Sequence, residues 1–162
     1  MWFLGFCIEY SKNEEETTAG VIGYQSSATE IIIPRSINHE SKEYIVTSIS
    51  VGAFYYSYIR SVSFEPNSEL RAIEKDAFSY SNLARIQIPS HVRQIYEHAF
   101  LCCKQLVRIE FEPNSELLTI GEDAFSCSSL ASIPIPESVL IRQRIDLARF
   151  ENENAFFRLS EV

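Results

Sequence analysis

The sequence predicts a β-dominated solenoid of the α/β class, with about five short parallel strands stacked rung upon rung and a cap at each end. Three observations carry this expectation. F-E-P-N-S-E-L occurs twice without change, at 64–70 and 111–117, displaced by 47 residues. Ala-Phe recurs at 53–54, 77–78, 99–100 and 124–125, in steps of 24, 22 and 25, so the longer identity is a pair of shorter units. Ile33, Phe64, Ile88, Phe111 and Ile135 each close a short alternating apolar stretch, with Ile31, Val62, Ile86, Ile109 and Ile133 two residues earlier. Self-similarity at a period of about 20–50 residues marks a repeat architecture.

One unit reads L-x-x-I-x-I-P, a polar turn, V-x-x-I-x-x-x-A-F and a small-residue corner. Its clearest copy is Leu83, Ile86, Ile88, Pro89, Val92, Ile95, Ala99 and Phe100. The alternation Ile86-Gln87-Ile88 fits a half-buried strand, and Pro89, which cannot donate to a ladder, keeps that strand short. Strands are expected at 30–33, 61–64, 85–88, 108–111 and 132–135, joined by irregular turns. A unit this small cannot bury its own apolar face; stacked copies can, because each apolar column becomes a continuous spine. Phe54, Phe78, Phe100 and Phe125 recur once per unit, always after Ala, and are expected in that spine rather than on a ligand platform.

The open ends of a solenoid have to be sealed. Phe3–Tyr10 and Thr17–Tyr24 are apolar, β-prone runs around polar Ser11–Glu16, which predicts a capping hairpin. Pro136-Glu137-Ser138, followed by Val139, Ile141, Ile145 and Ala148, predicts a cap helix over about 138–150. A degenerate sixth strand-and-turn unit is the alternative there. The chain divides as a single repeat domain, 1–162, with an N-terminal cap at 1–28, repeats at 29–137 and a C-terminal cap or tail at 138–162.

The repeat, with its paired Ala-Phe and the Cys or Tyr a few residues later, resembles the BspA-like leucine-rich repeats of microbial surface antigens. The resemblance covers roughly residues 3–140. It implies a leucine-rich-repeat solenoid that is right-handed, with the L-x-x-I-x-I strand on its concave face. It also implies adhesion or protein binding, with host or extracellular-matrix proteins among the implied partners. Two departures bear on this: a membrane anchor like that of some members is not expected from these residues, and the expected Ala-Phe of the last unit gives way to Leu147-Ala148-Arg149-Phe150.

Composition narrows the chemistry. Apolar residues make up 46% of the 162, with only five glycines and six prolines, a globular composition. A formal net charge of −8 repels phosphate backbones and anionic lipid, so nucleic acid is not an expected partner. Met1–Ile8 lacks a basic leader and runs into Glu9 and Glu14–Glu16, and no stretch approaches the ~20 apolar residues of a membrane helix. No export signal or membrane insertion is therefore expected from the chain itself. A place at the cell surface comes from the resemblance alone, and a cytoplasmic one stays equally open.

No G-x-S-x-G, P-loop, H-E-x-x-H or G-x-G-x-x-G is present. The expectation is no enzyme, no cofactor, no metal and no catalytic residue. His39, His91 and His98 are expected as exposed turn residues without metal-ligand spacing. Cys7, Cys102, Cys103 and Cys127 show no C-x-x-C. Cys103 and Cys127 each stand three residues before the next strand's first apolar residue, where Tyr56 and Tyr80 stand in other units, so they are expected as buried packing thiols. The recurring Glu65/Glu69 and Glu112/Glu116 are expected as solvated turns rather than a cation site.

Strand alternation gives the most useful surface inference. If Ile86 and Ile88 point inward, Arg85 and Gln87 point outward, as do Ser61/Ser63, Arg108/Glu110, Ser132/Pro134 and Glu30/Ile32 in other units. Ser61, Ser63, Arg85, Gln87, Arg108 and Glu110 form the candidate binding face. The expected function is a non-catalytic protein-binding or adhesion module; an intracellular structural or regulatory scaffold, favoured by free thiols, is the alternative.

Overall fold

The computed structural model describes residues 7–25, 27–136 and 139. Strands β1 (Cys7–Asn13) and β2 (Thr18–Gln25) form the antiparallel hairpin expected at the N-terminal end. Four-residue strands β3 (Glu30–Ile33), β6 (Ser61–Phe64), β8 (Arg85–Ile88) and β10 (Arg108–Phe111) make an all-parallel sheet in the order β10-β8-β6-β3. These are four of the five expected strands, with the expected bounds.

The fifth expected strand, 132–135, does not form. The reason lies in the ladder. Glu112 N–H donates to the Ile88 carbonyl at 3.0 Å, but the residue one rung later is Pro136, and Pro134 stands two residues before it. Alternate donors of this rung are thus missing, and a proline cannot join a ladder as donor. Ile133 still packs inward, 2% exposed.

A second sheet corrects the expectation of irregular turns. Strands β5 (Lys42–Ile49), β7 (Ala72–Ile73), β9 (Gln94–Ile95) and β11 (Thr119–Ile120) continue from β2 as a parallel series, and β4 (Ser36–His39) pairs antiparallel with β5. The β4–β5 hairpin turns through Glu40 and Ser41, both left-handed at φ 49° and 64°, as a two-residue hairpin turn requires. The register aligns Val21, Ile49, Ile73, Ile95 and Ile120 in one buried column. Ile31, Val62, Ile86 and Ile109 form the facing column. Each alternates with an outward residue, so a two-residue period is enough to sort the side chains.

Between the sheets runs the phenylalanine spine. Tyr24, Phe54, Phe78, Phe100 and Phe125 follow one another at centroid distances of 5.7, 5.1, 5.2 and 5.1 Å. The four phenylalanines are at most 7% exposed. Burial of each stabilises the fold by about 1.5–3 kcal/mol, with stacking of about 0.5–1.5 kcal/mol per pair beyond that. The corner holding them is itself a ladder: the N–H groups of Phe54, Phe78 and Phe100 donate to the carbonyls of Ala77, Ala99 and Ala124 at 2.7, 2.8 and 2.7 Å. The residue before each Ala-Phe is left-handed (Gly52, Asp76, His98, Asp123), and so is the second residue after it (Tyr56, Tyr80, Cys102, Cys127).

The twice-repeated heptad is a folding element. Pro66 and Pro113 fit the turn, and Asn67 and Asn114 take left-handed φ of 59° and 60°, which Asn tolerates better than most residues. Leu70 N–H donates to Ser68 Oγ at 3.3 Å and Leu117 N–H to Ser115 Oγ at 3.4 Å. Glu65 and Glu112 accept the backbone N–H of Arg35 and Ser90 in the preceding rung, each at 2.9 Å. These carboxylates staple rungs together.

The cap helix expected over about 138–150 lies outside the described residues apart from Val139, which is buried. Val139 is a single helical residue; the elements of the described residues are all strands, so the fold described is a β-dominated solenoid.

Candidate functional site

The four-stranded sheet carries the candidate face. Parallel pairing sets Glu30 beside Ser61, Ser61 beside Arg85, and Arg85 beside Arg108. In the second outward column Ile32 pairs with Ser63, and Gln87 with Glu110. Arg85, Gln87, Arg108 and Ser63 are exposed, and Ser61 and Glu110 are half-buried. The shielding of Glu110 departs from the expectation of a fully open residue, and its cause is local: Arg108 folds over and ion-pairs with it through Nε, 3.0 Å away, and through Nη2. Arg85 has no ion pair among the described residues. Ser63 Oγ donates to the Ile31 carbonyl at 3.4 Å.

Inward positions follow the same alternation with one correction. Ile86, Ile88 and Ile109 are buried, but Phe111 is only half-buried. Phe64, at the same place in the other copy of the heptad, is half-buried too, although its strand β6 lies between β3 and β8.

The face is therefore two short serines flanked on one side by Glu30 and exposed Ile32, and on the other by two register-paired arginines, Arg85 and Arg108. Arg85 and Arg108 are paired at the backbone on adjacent strands, with the Arg108 guanidinium turned onto Glu110. The arrangement offers hydrogen bonding and charge, with no nucleophile and base in contact. Among the described residues no three His, Cys, Asp or Glu side chains are grouped to hold a metal, and no helix is long and apolar enough to cross a membrane.

Two surface features escaped sequence reasoning. Tyr55, Tyr56, Tyr58 and Tyr80 lie exposed at the corners, with Tyr56 and Tyr80 stacked at 4.7 Å; the run Tyr55-Tyr56-Ser57-Tyr58 was the signal. Glu69, Arg71, His91, Arg93 and Glu116 line a cleft of about 100 Å³. There Arg93 ion-pairs with Glu116 at 2.8 Å, and its hydrogen bond holds the Glu116 pKa below the usual carboxylate value. His91 is exposed as expected; His98 is half-buried 3.9 Å from Asp76, and His39 ends β4 rather than lying in a turn.

The cysteine assignment also needs correction. Counted from Ala-Phe, the left-handed column is Tyr56, Tyr80, Cys102, Cys127, and Cys103 belongs with Ser57 and Ser81. The third unit carries one extra residue between Phe100 and Leu106, so counting back from the leucine slips the register. Cys103 is buried as expected; Cys102 is half-buried and Cys127 exposed.

A mixed sheet whose rungs run parallel from β2 through β11, and an all-parallel four-stranded sheet, around a repeated apolar spine, define a repeat scaffold of the leucine-rich type. The family sequence model for the BspA type leucine rich repeat region matches residues 15–155 in 6 copies, and the chain belongs to that family. Solved structures of similar fold include the pneumococcal vaccine antigen PcpA (TM-score 0.56, 16% identity, 83% of this chain and 52% of that one). A leucine-rich-repeat protein of T. pallidum gives a TM-score of 0.50 at 21% identity, over 83% of this chain and 64% of that one. One from Bacteroides capillosus gives 0.49 at 28% identity, over 80% and 78%. The chain thus spans about half the length of the pneumococcal antigen. No curated protein matches the chain significantly.

Proposed function

We propose that this chain is a non-catalytic protein-binding module that engages its ligand through the face of the four-stranded sheet. The observation that carries the reading is the alignment of exposed Arg85 with Arg108 on adjacent rungs, beside the low serine rung of Ser61 and Ser63. Charged side chains fixed in register can orient a partner and raise its rate of encounter, and repeat scaffolds concentrate binding on one face. Adhesion at a cell surface is the finer reading, supported by the fold shared with a vaccine antigen.

The test uses a photo-crosslinker at Gln87 to capture the partner, followed by affinity measurement with the identified protein. Arg85→Glu with Arg108→Glu should weaken binding more than about tenfold while leaving the melting temperature nearly unchanged. Arg71→Glu with Lys104→Glu makes the same charge change away from this face and should leave affinity within about twofold. Equal loss in both pairs would point to net charge rather than a site, and no loss in the first would remove the face from the function. Labelling of intact cells tests the adhesion reading separately.

A further inference from the structure

Cys102 and Cys127 occupy the same position on consecutive rungs. Each is the second residue after Ala-Phe, each is left-handed, with φ of 53° and 57°, and Cys102 N–H donates to the Ser126 carbonyl at 2.8 Å. Two rungs earlier the same column brings the Tyr56 and Tyr80 rings face to face, 4.7 Å apart and within 5° of parallel. The tyrosine pair shows that side chains of this column can meet across rungs, and the last pair of the column carries thiols. Both are unbridged, Cys102 half-buried and Cys127 exposed. Hydrogen bonding to Cys102 pushes up the pKa of the Tyr80 hydroxyl and of the Cys127 thiol, its neighbours in the column. Cys103 is different: fully buried, its thiol donating to the Phe78 carbonyl at 3.0 Å, and pushed up to about 11 by burial.

We propose that Cys102 and Cys127 form an oxidisable thiol pair that closes into a disulfide across two rungs. Neighbouring parallel segments ~4.8 Å apart fall within the ~4.4–6.8 Å Cα separation that a disulfide spans. The oxidant is of the hydroperoxide class. The Cys102 sulfur, giving up its proton, attacks one peroxide oxygen; the O–O bond breaks, and water leaves with a sulfenic acid formed. The Cys127 sulfur then attacks the Cys102 sulfur, the S–O bond breaks, and a second water leaves. Two thiols and one hydrogen peroxide yield one disulfide and two waters, with two electrons passing to the peroxide. The bond closes a loop that contains β10, the strand bearing Arg108 and Glu110. It stands independently of the binding reading.

The test oxidises the reduced full-length chain with stoichiometric hydrogen peroxide. Intact mass should fall by two hydrogen atoms, and free thiols should drop from four to two. Peptide mapping should link the segment carrying Cys102 and Cys103 to that carrying Cys127. Cys103→Ser should keep the link; Cys102→Ser and Cys127→Ser should each abolish it, with all three variants judged folded by circular dichroism. Dithiothreitol should reverse it. A link that survives Cys102→Ser, a bond between Cys102 and Cys103, covalent dimers through Cys127, or sulfinic acid on Cys102 with no link would each overturn the proposal.

Discussion

The Phe78 and Phe100 rings lie 5.2 Å apart and within 6° of parallel, each wholly buried. That distance is set by the rung, because Phe78 N–H is bonded to the Ala99 carbonyl of the next one at 2.8 Å. The aromatic spine and the backbone ladder therefore rise or fall together.

Removing one ring should leave a cavity that the flanking rungs cannot close without stretching the corner ladder. Phe100→Ala should cost about 3–5 kcal/mol, read by urea denaturation. A parent-like midpoint would show that the spine does not carry the fold.

Gly121 tests how closely the rungs approach. A Cβ there would lie 2.3 Å from the Glu97 backbone nitrogen and 2.6 Å from the Tyr96 carbonyl carbon, and backbone cannot step aside as a side chain can. Gly121→Ala should destabilise by about 1–3 kcal/mol. Gly23→Ala, whose nearest contact would be an ordinary 3.6 Å, should cost less than about 1 kcal/mol. Similar effects at both sites would remove the close-packing explanation.

The left-handed turn of the heptad gives a third outcome. Asn114→Gly should be tolerated at φ 60°, whereas Asn114→Val should lose about 1–3 kcal/mol, since a β-branched residue resists that region. Thermal melts of the two variants side by side check this.

Cross-rung ion pairs set the pH response. Lys75 and Glu97 meet at 2.9 Å; the hydrogen bond lowers the Glu97 pKa from 4.5 and raises the Lys75 pKa from 10.5. The Glu97 contribution is present above pH 4.5 and is lost as pH falls through the lowered value. The Lys75 contribution is present below pH 10.5 and is lost as pH rises through the raised value. Both groups are exposed, so the effect is small. Glu97→Gln should flatten the acid limb of melting temperature against pH relative to the parent, and an unchanged limb would show the pair to be inert.

The sequence by itself determined the class of architecture and much of its register. Strand bounds at 61–64 and 85–88, the inward isoleucines and the buried phenylalanines all follow from periodicity, because a side chain's face in a strand depends only on its place in a two-residue alternation. The candidate face was legible for the same reason: Arg85 and Gln87 had to point outward once Ile86 and Ile88 pointed in. The N-terminal hairpin showed in two β-prone runs around a polar turn.

Tertiary structure decided what depends on neighbours from other rungs. The two-residue strands β7, β9 and β11 have no pattern of their own length; they exist because an adjacent rung supplies the bonding partner. Pro134 and Pro136 could be read in the sequence, but only the ladder shows that they fall where donors are needed. Glu65 and Glu112 look like solvated carboxylates until the backbone N–H groups of Arg35 and Ser90 come within 2.9 Å. The cysteine column was settled by a left-handed backbone that no residue type announces: one extra residue before Leu106 shifts the count, and only the geometry of the corner restores it, setting Cys102 beside Cys127 and sending Cys103 into the core.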